Sequence, residues 1–206
     1  LAVGGFWATS WLFPPLWTLA DHLTTPLRLV PHLIIGLSLG LGLLASFAHL
    51  GSKRNAWRAL THLSHSWLSR EILFALLFGL AWLATAFEAI FLQRSISELT
   101  SITAILGIGL IYSMGQVYHL PAAPGWNNWR TNAGFFVSAI LLGLSAMSPV
   151  LSYEARMSGV QIPPIFWMFI GTSILLALLA QLALLQKRTS DIQAHNVRFW
   201  VIVFGG

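Results

Sequence analysis

Residues 165–185 carry no charged side chain, and residues 72–92 carry one, Glu88. At about 1.5 Å of rise per helical residue, runs of that length cross a hydrocarbon core of roughly 30 Å. The rest of the sequence agrees. Its mean hydropathy is +0.74 and 56% of its residues are apolar, far above a soluble globular domain. The expected fold is therefore all-α, a polytopic transmembrane helix bundle. Segments 1–20, 29–50, 71–92, 101–120, 132–151 and 164–186 are predicted as six complete spans, with the start of a seventh at 198–206. Residues 1–206 are read as one transmembrane domain, incomplete at both ends, because the sequence opens already apolar at Leu1 and stops within "FWVIVFGG".

Composition removes several functions. There is no cysteine, hence no disulfide, thiolate nucleophile or cysteine-ligated cluster within the chain. No G-x-x-x-x-G-K-[ST] phosphate loop is present, so the protein is not by itself an ATP-driven motor. The excess of cations does not indicate nucleic-acid binding, because the basic residues are spread over loops between spans, where orientation and lipid headgroups account for them. No internal repeat suggests a transporter built from inverted halves.

The stretch "AHLGSKRNAWRALTHLSHSWLSRE" at 48–71 stands apart. Charged residues are 8% of the sequence, yet Lys53, Arg54, Arg58, Arg70 and Glu71 gather here with three of the seven histidines, His49, His62 and His65. Of the 11 Lys and Arg residues, Arg28, Arg94 and Arg156 fall on one predicted side. Lys53, Arg54, Arg58, Arg70, Arg130, Lys187, Arg188 and Arg198 fall on the other. By the positive-inside rule the 51–70 loop is expected in the cytoplasm. Loops kept basic to dock an acidic partner would give the same count. Within the loop, residues 54–68 have helical periodicity, with Trp57, Leu60, Leu63, Trp67 and Leu68 on one half of the wheel and Arg54, Arg58, His62 and His65 on the other. That pattern fits an amphipathic helix lying in the interface, either as a headgroup-binding connector or as a docking surface for a soluble subunit.

His49 closes span 2 and Glu71 opens span 3, so the two are expected at similar depth on one face. With Ser69 as the expected N-cap, Glu71 lies in the first helical turn. The helix dipole favours a carboxylate there and partial desolvation disfavours it, which suits a proton-exchanging group near neutral pH. Histidine can donate a hydrogen bond or take up a proton in the same range. Two readings stay open: a snorkelling histidine with a solvated acid, or a site for a quinone, whose two-electron chemistry moves two protons.

"SFAHLGSKRNAWRALTHLSHSWLSRE" resembles the span 2–span 3 connection of DmsC-type anchor subunits of dimethyl sulfoxide reductases. In that family a His in an "HLG" motif and a Glu in an "S-x-E" motif belong to the quinol site, and His49 and Glu71 match them. "VYHLPAAPGWNNWRTNAGFF" at 117–136 is similar to the family segment leading into span 5, and "AVGGF" at 2–6 resembles a small-residue motif of its first span. The family typically has eight spans. The resemblance implies a subunit that is itself non-catalytic. It would hold an iron–sulfur subunit and a molybdopterin catalytic subunit to a prokaryotic cytoplasmic (inner) membrane, and bind a quinone, menaquinone or ubiquinone, with no metal or haem of its own. Glu71 would accept the proton. Tyr118 and Trp126 would join His49 and Glu71 around the ring, although an interfacial aromatic belt explains them equally. Arg54, Arg58, His62 and His65 would dock the partner. His62 and His65 are additions to the family pattern. Related anchors serve outward- and inward-facing enzymes, and the charge count favours inward.

Three other readings compete. A b-type haem needs two facing histidines. His32 and His49 are 17 residues apart on one span, about 25 Å of rise, so only a pair with His119 is geometrically open. A small-molecule transporter predicts mid-membrane charges, which the spans lack. A purely structural anchor is separated by whether His49 and Glu71 affect electron transfer. Gly36 and Gly40 form a G-x-x-x-G on span 2, expected as a close helix contact.

Overall fold

The computed structural model describes residues 1–12, 25–48, 62–92, 97–120, 126–157, 162 and 164–204. Its elements are α1 (Ala2–Trp7, continued by one π-type turn, Ala8–Leu12), α2 (Thr25–Ala48), α3 (Trp67–Phe91), α4 (Ser97–Val117), α5 (Trp129–Met157) and α6 (Pro164–Phe204). Five helices are long and apolar enough to cross a membrane, with windows Leu29–Ser46, Trp67–Phe91, Glu98–Val117, Trp129–Tyr153 and Pro164–Leu185. The molecule is a multi-pass helical membrane protein, as its hydropathy predicts.

The short α1 is the hub. Val3, Phe6, Trp7 and Ala8 are buried, and α1 touches α2, α4 and α5. Lipid is as apolar as leucine, so helices in a bilayer associate through close packing and need small residues where backbones meet. Gly4 of α1 and Gly143 of α5 supply them: a Cβ on Gly4 would overlap the Ala139 carbonyl, and one on Gly143 would overlap the Gly4 backbone. Once α1 is seated, its aromatic rings fix the neighbours. Phe6 meets Phe78 of α3 edge-on at 5.9 Å. Trp7 stacks on Phe136 of α5 at 6.2 Å and donates its indole N–H to the Ala104 carbonyl of α4 at 3.1 Å.

Outward faces are apolar, as a lipid solvent allows. On α3, Leu76, Leu80, Leu83, Phe87 and Phe91 are exposed along one stripe, whereas Ala75, Phe78, Thr85 and Ala86 are buried. Hydroxyls inside the bundle bond back to their own helix, Thr9 to Gly5, Ser38 to Ile34, Thr103 to Leu99 and Ser113 to Gly109. These four groups are thereby satisfied in a medium without water.

Four expectations need correction. First, the cap of α3 is Ser66, whose side chain accepts the Ser69 N–H at 3.3 Å, and not Ser69. Glu71 is thus pushed beyond the first turn, which holds no acid, and the dipole argument for it loses its force. Second, Trp67 and Leu68 belong to α3 and are separated from the rest of the loop by a turn at 62–66. Residues 54–61 of the predicted interfacial helix lie outside the described residues. Third, residues 198–204 continue α6 and do not start a separate helix, because α6 runs unbroken for 41 residues, roughly 60 Å at helical rise. Its polar stretch 186–197 contains neither Gly nor Pro to end it. Fourth, in the G-x-x-x-G of α2 Gly36 has a close neighbour, the Trp82 ring, while Gly40 has none within 4 Å among the described residues.

The glycine crossing is testable. Gly143→Ala should lower the stability of the purified protein by about 1–3 kcal/mol, the usual effect of overpacking, read as a fall in melting temperature. Gly171→Ala, where nothing lies within 4 Å of the added carbon, should leave it unchanged or raise it slightly.

Candidate functional site

The approach to Glu71 is a built turn. The amides of His65 and Ser66 both donate to the His62 carbonyl, at 3.1 and 3.0 Å, and Ser66 then caps α3. Arg70 locks the turn from below: Nε donates to the Leu63 carbonyl and Nη2 to the Ser64 carbonyl, each at 2.8 Å. Its guanidinium carbon sits 4.2 Å from the centre of the Trp67 ring, a cation–π contact. The planar fork of arginine reaches two carbonyls and an aromatic face at once, which a lysine cannot. His62 and His65 are exposed on this turn, and the Ser64 hydroxyl lies 2.6 Å from His65 Nδ1. Glu71 follows immediately and is half-buried.

Two helix junctions share this face. Trp67, one turn before Glu71, meets Tyr112 of α4 edge-on at 5.7 Å. The far end of α4 meets the start of α5, where Tyr118 contacts Trp126 at 5.3 Å and Phe135 at 5.4 Å. Trp126 is held there by the helix start, since its carbonyl accepts the Thr131 hydroxyl at 2.6 Å and Asn128 Oδ1 accepts the Arg130 N–H at 2.9 Å. Because α3 begins where α4 ends and α4 ends where α5 begins, Glu71, Tyr118 and Trp126 lie at one end of the bundle.

The structure therefore brings Tyr118 and Trp126 together and puts Glu71 at the neighbouring junction. His49, Arg54 and Arg58 lie outside the described residues. Two further groups belong to this face that the motifs do not assign to it. Tyr112 touches the Trp67 ring. His119, which the sequence offers as a haem ligand or as a polar helix end, is half-buried beside Tyr118. Its Nε2 is shut away from solvent with no hydrogen-bond partner among the described residues. The available signal is its position directly after Tyr118 in "VYHLP", but burial of one ring nitrogen is a matter of packing.

An all-helical bundle with several helices long and apolar enough to cross a membrane is a polytopic membrane protein. The model of the family "DMSO reductase anchor subunit (DmsC)" matches residues 3–197, and the protein belongs to that family. Among curated proteins it is 36% identical over 112 residues to the C subunit of the anaerobic dimethyl sulfoxide reductase of Haemophilus influenzae, a match spanning 52% of this sequence and 39% of that protein. It is 31% identical over 112 residues to the YnfH subunit of an anaerobic dimethyl sulfoxide reductase of Escherichia coli, with the same coverage. The C subunit of the anaerobic dimethyl sulfoxide reductase of Escherichia coli is 31% identical over 121 residues, 56% of this sequence and 40% of that protein. The matches thus span about two fifths of the length of these relatives. No solved structure matches.

The Arg70 clamp yields a direct expectation. Arg70→Lys should loosen the 62–66 turn and raise amide hydrogen exchange at His65 and Ser66 by about tenfold, the scale of one lost hydrogen bond to a charged group. Exchange in the middle of α3 should not change.

Proposed function

We propose that this protein is the quinol/quinone-binding membrane anchor of a molybdopterin/iron–sulfur oxidoreductase complex, passing electrons between the membrane quinone pool and the iron–sulfur subunit. The observation that carries the reading is Glu71, a half-buried carboxylate at the membrane end that also holds Trp67, Tyr112, Tyr118 and Trp126 and His119, whose Nε2 has no hydrogen-bond partner among the described residues. Such a place has flat apolar surfaces for a ring, hydrogen-bonding groups for its oxygens and a base beside water. The residues present fit the ligand.

A bound quinol supplies two electrons and two protons. Glu71 would accept the two protons one after the other, handing each to the adjacent aqueous face, general-base work by a positioned carboxylate. His49 hydrogen-bonds one ring oxygen, and Tyr118 and Trp126 cover the ring. His119 Nε2 is a second hydrogen-bonding group for the same ligand. The two electrons would pass to the iron–sulfur subunit, which Arg54, Arg58, His62 and His65 would dock. With quinone as acceptor the same groups act in reverse order. The catalytic molybdopterin subunit and the iron–sulfur subunit lie on the cytoplasmic side of a prokaryotic inner membrane, the side to which the excess of cations assigns the 51–70 loop.

Glu71→Gln keeps the shape and a hydrogen-bonding amide but cannot exchange the proton. Quinol-linked turnover of the assembled complex should fall by about two orders of magnitude or more, the usual size of general-base catalysis. Turnover with a soluble artificial electron carrier should persist. His49→Ala should weaken binding of a quinone-site inhibitor by about tenfold. Full quinol-linked turnover in both variants would move the site elsewhere. Orientation has its own test: Ser64→Cys should resist a membrane-impermeant thiol reagent in intact cells and Ser97→Cys should react. The reverse pattern overturns the cytoplasmic assignment.

A further inference from the structure

Between the first turns of α5 and the last turns of the apolar part of α6 is a cavity of about 200 Å³. That is room for far more than a single water, whose share of liquid volume is about 30 Å³. Arg130, Thr131 and Ser138 line one wall from α5 and Gln181 the facing wall from α6, with Phe135 and Leu184 as its apolar surface. Thr131, Gly134 and Ser138 recur at helical spacing, so this wall, two hydroxyls with a glycine between them, runs from the helix start down into the span. Opposite it, Gln181 Oε1 is shut off from solvent with no hydrogen-bond partner among the described residues. A buried amide oxygen without a donor is costly, and such a group marks a place where a donor is expected. Pro164–Leu185 is the membrane-crossing part of α6, so the cavity opens at the membrane–water boundary, just before Lys187 and Arg188 in the sequence.

The chemistry of the walls specifies the occupant. The guanidinium of Arg130 has five N–H donors, enough to take an anion in addition to the contact it already makes. The orphan amide oxygen calls for a hydroxyl or N–H donor. Phe135 and Leu184 call for an apolar portion continuous with the bilayer. A quinone or quinol has no charge to match Arg130, and a choline headgroup has no donor for Gln181. We propose that this α5–α6 cleft is a binding site for an anionic phospholipid of the phosphoglycerol type. Its phosphodiester would pair with Arg130 and Thr131, a glycerol hydroxyl would donate to Gln181 Oε1, and its acyl tail would run along Leu184. Such a lipid wedges α6 against α5 next to the Tyr118–Trp126–Phe135 group, since Phe135 belongs to both.

The test uses the full-length protein reconstituted in nanodiscs of phosphatidylcholine with increasing phosphatidylglycerol, followed by melting temperature. The wild type should be stabilised with a defined midpoint in phosphatidylglycerol content. In Arg130→Gln and Gln181→Met, each compared with its own melting in pure phosphatidylcholine, the midpoint should rise by about tenfold, the loss of one hydrogen bond involving a charged or buried partner. Arg156→Gln, exposed at the opposite end of α5, should keep the wild-type midpoint. Glycerol phosphate added to phosphatidylcholine nanodiscs should have no effect. If Arg156→Gln shifts the midpoint as much as Arg130→Gln, the attraction is diffuse surface charge and the site is overturned. An unshifted midpoint in Gln181→Met overturns it as well, and stabilisation by glycerol phosphate alone makes the ligand a soluble phosphate and not a lipid.

Discussion

The contact of Gly4 with Gly143 decides how the remaining helices can stand. A bilayer gives no general reward for bringing apolar helices together, so association rests on how closely two backbones approach. Here the two glycines face each other with the Ala139 carbonyl alongside, and α1 can sit inside the bundle. From that seat Phe6 positions α3 and Trp7 positions α4 and α5 at once. The junctions of α3 with α4 and of α4 with α5, which carry the candidate site, follow from that arrangement. The route from sequence to function thus passes through a contact without functional groups.

A division of labour follows. The membrane interior is filled by shape, with hydroxyls returned to their own helices, while ionisable residues collect at the helix ends, Arg70 and Glu71 at one and Glu88, Glu98 and Arg156 at the other. Arg70 shows why the ends of spans suit this work. There the backbone leaves helical geometry, carbonyls become available as acceptors, and a cation can be held by carbonyls and a ring face with no acid. Glu71 is consequently free for proton exchange in the proposed mechanism, since its neighbour's charge is already accommodated.

Much of this was legible in the residues. Apolar runs at 72–92, with the single charge of Glu88, and at 165–185, with none, define spans by length alone. What failed did so for physical reasons. Ser66 and Ser69 have equal capping propensity, and the choice between them is made by Arg70 reaching back to Leu63 and Ser64, a contact that composition does not reveal. The polar stretch after Leu185 looks like a loop but contains no residue that breaks a helix, so α6 continues. Gly36 and Gly40 carried the recognised spacing, whereas the closest crossing fell on Gly4 and Gly143, which are far apart in the sequence. The isolation of His119 Nε2 and Gln181 Oε1 depends on which helices pack where, and no local pattern encodes it.

The hydroxyls that bond back within their own helices have an effect on how the bundle comes apart. Thr9, Ser38, Thr103 and Ser113 would keep their partners if the helices drifted apart in the bilayer. Trp7 bridges α1 to α4, and such interhelical bonds average only about 0.6 kcal/mol. Cohesion is therefore mechanical in origin, and lateral pressure and bilayer thickness become parameters of its stability. Solubilisation that leaves circular dichroism untouched can still disengage α1, dispersing the helices while each remains fully formed.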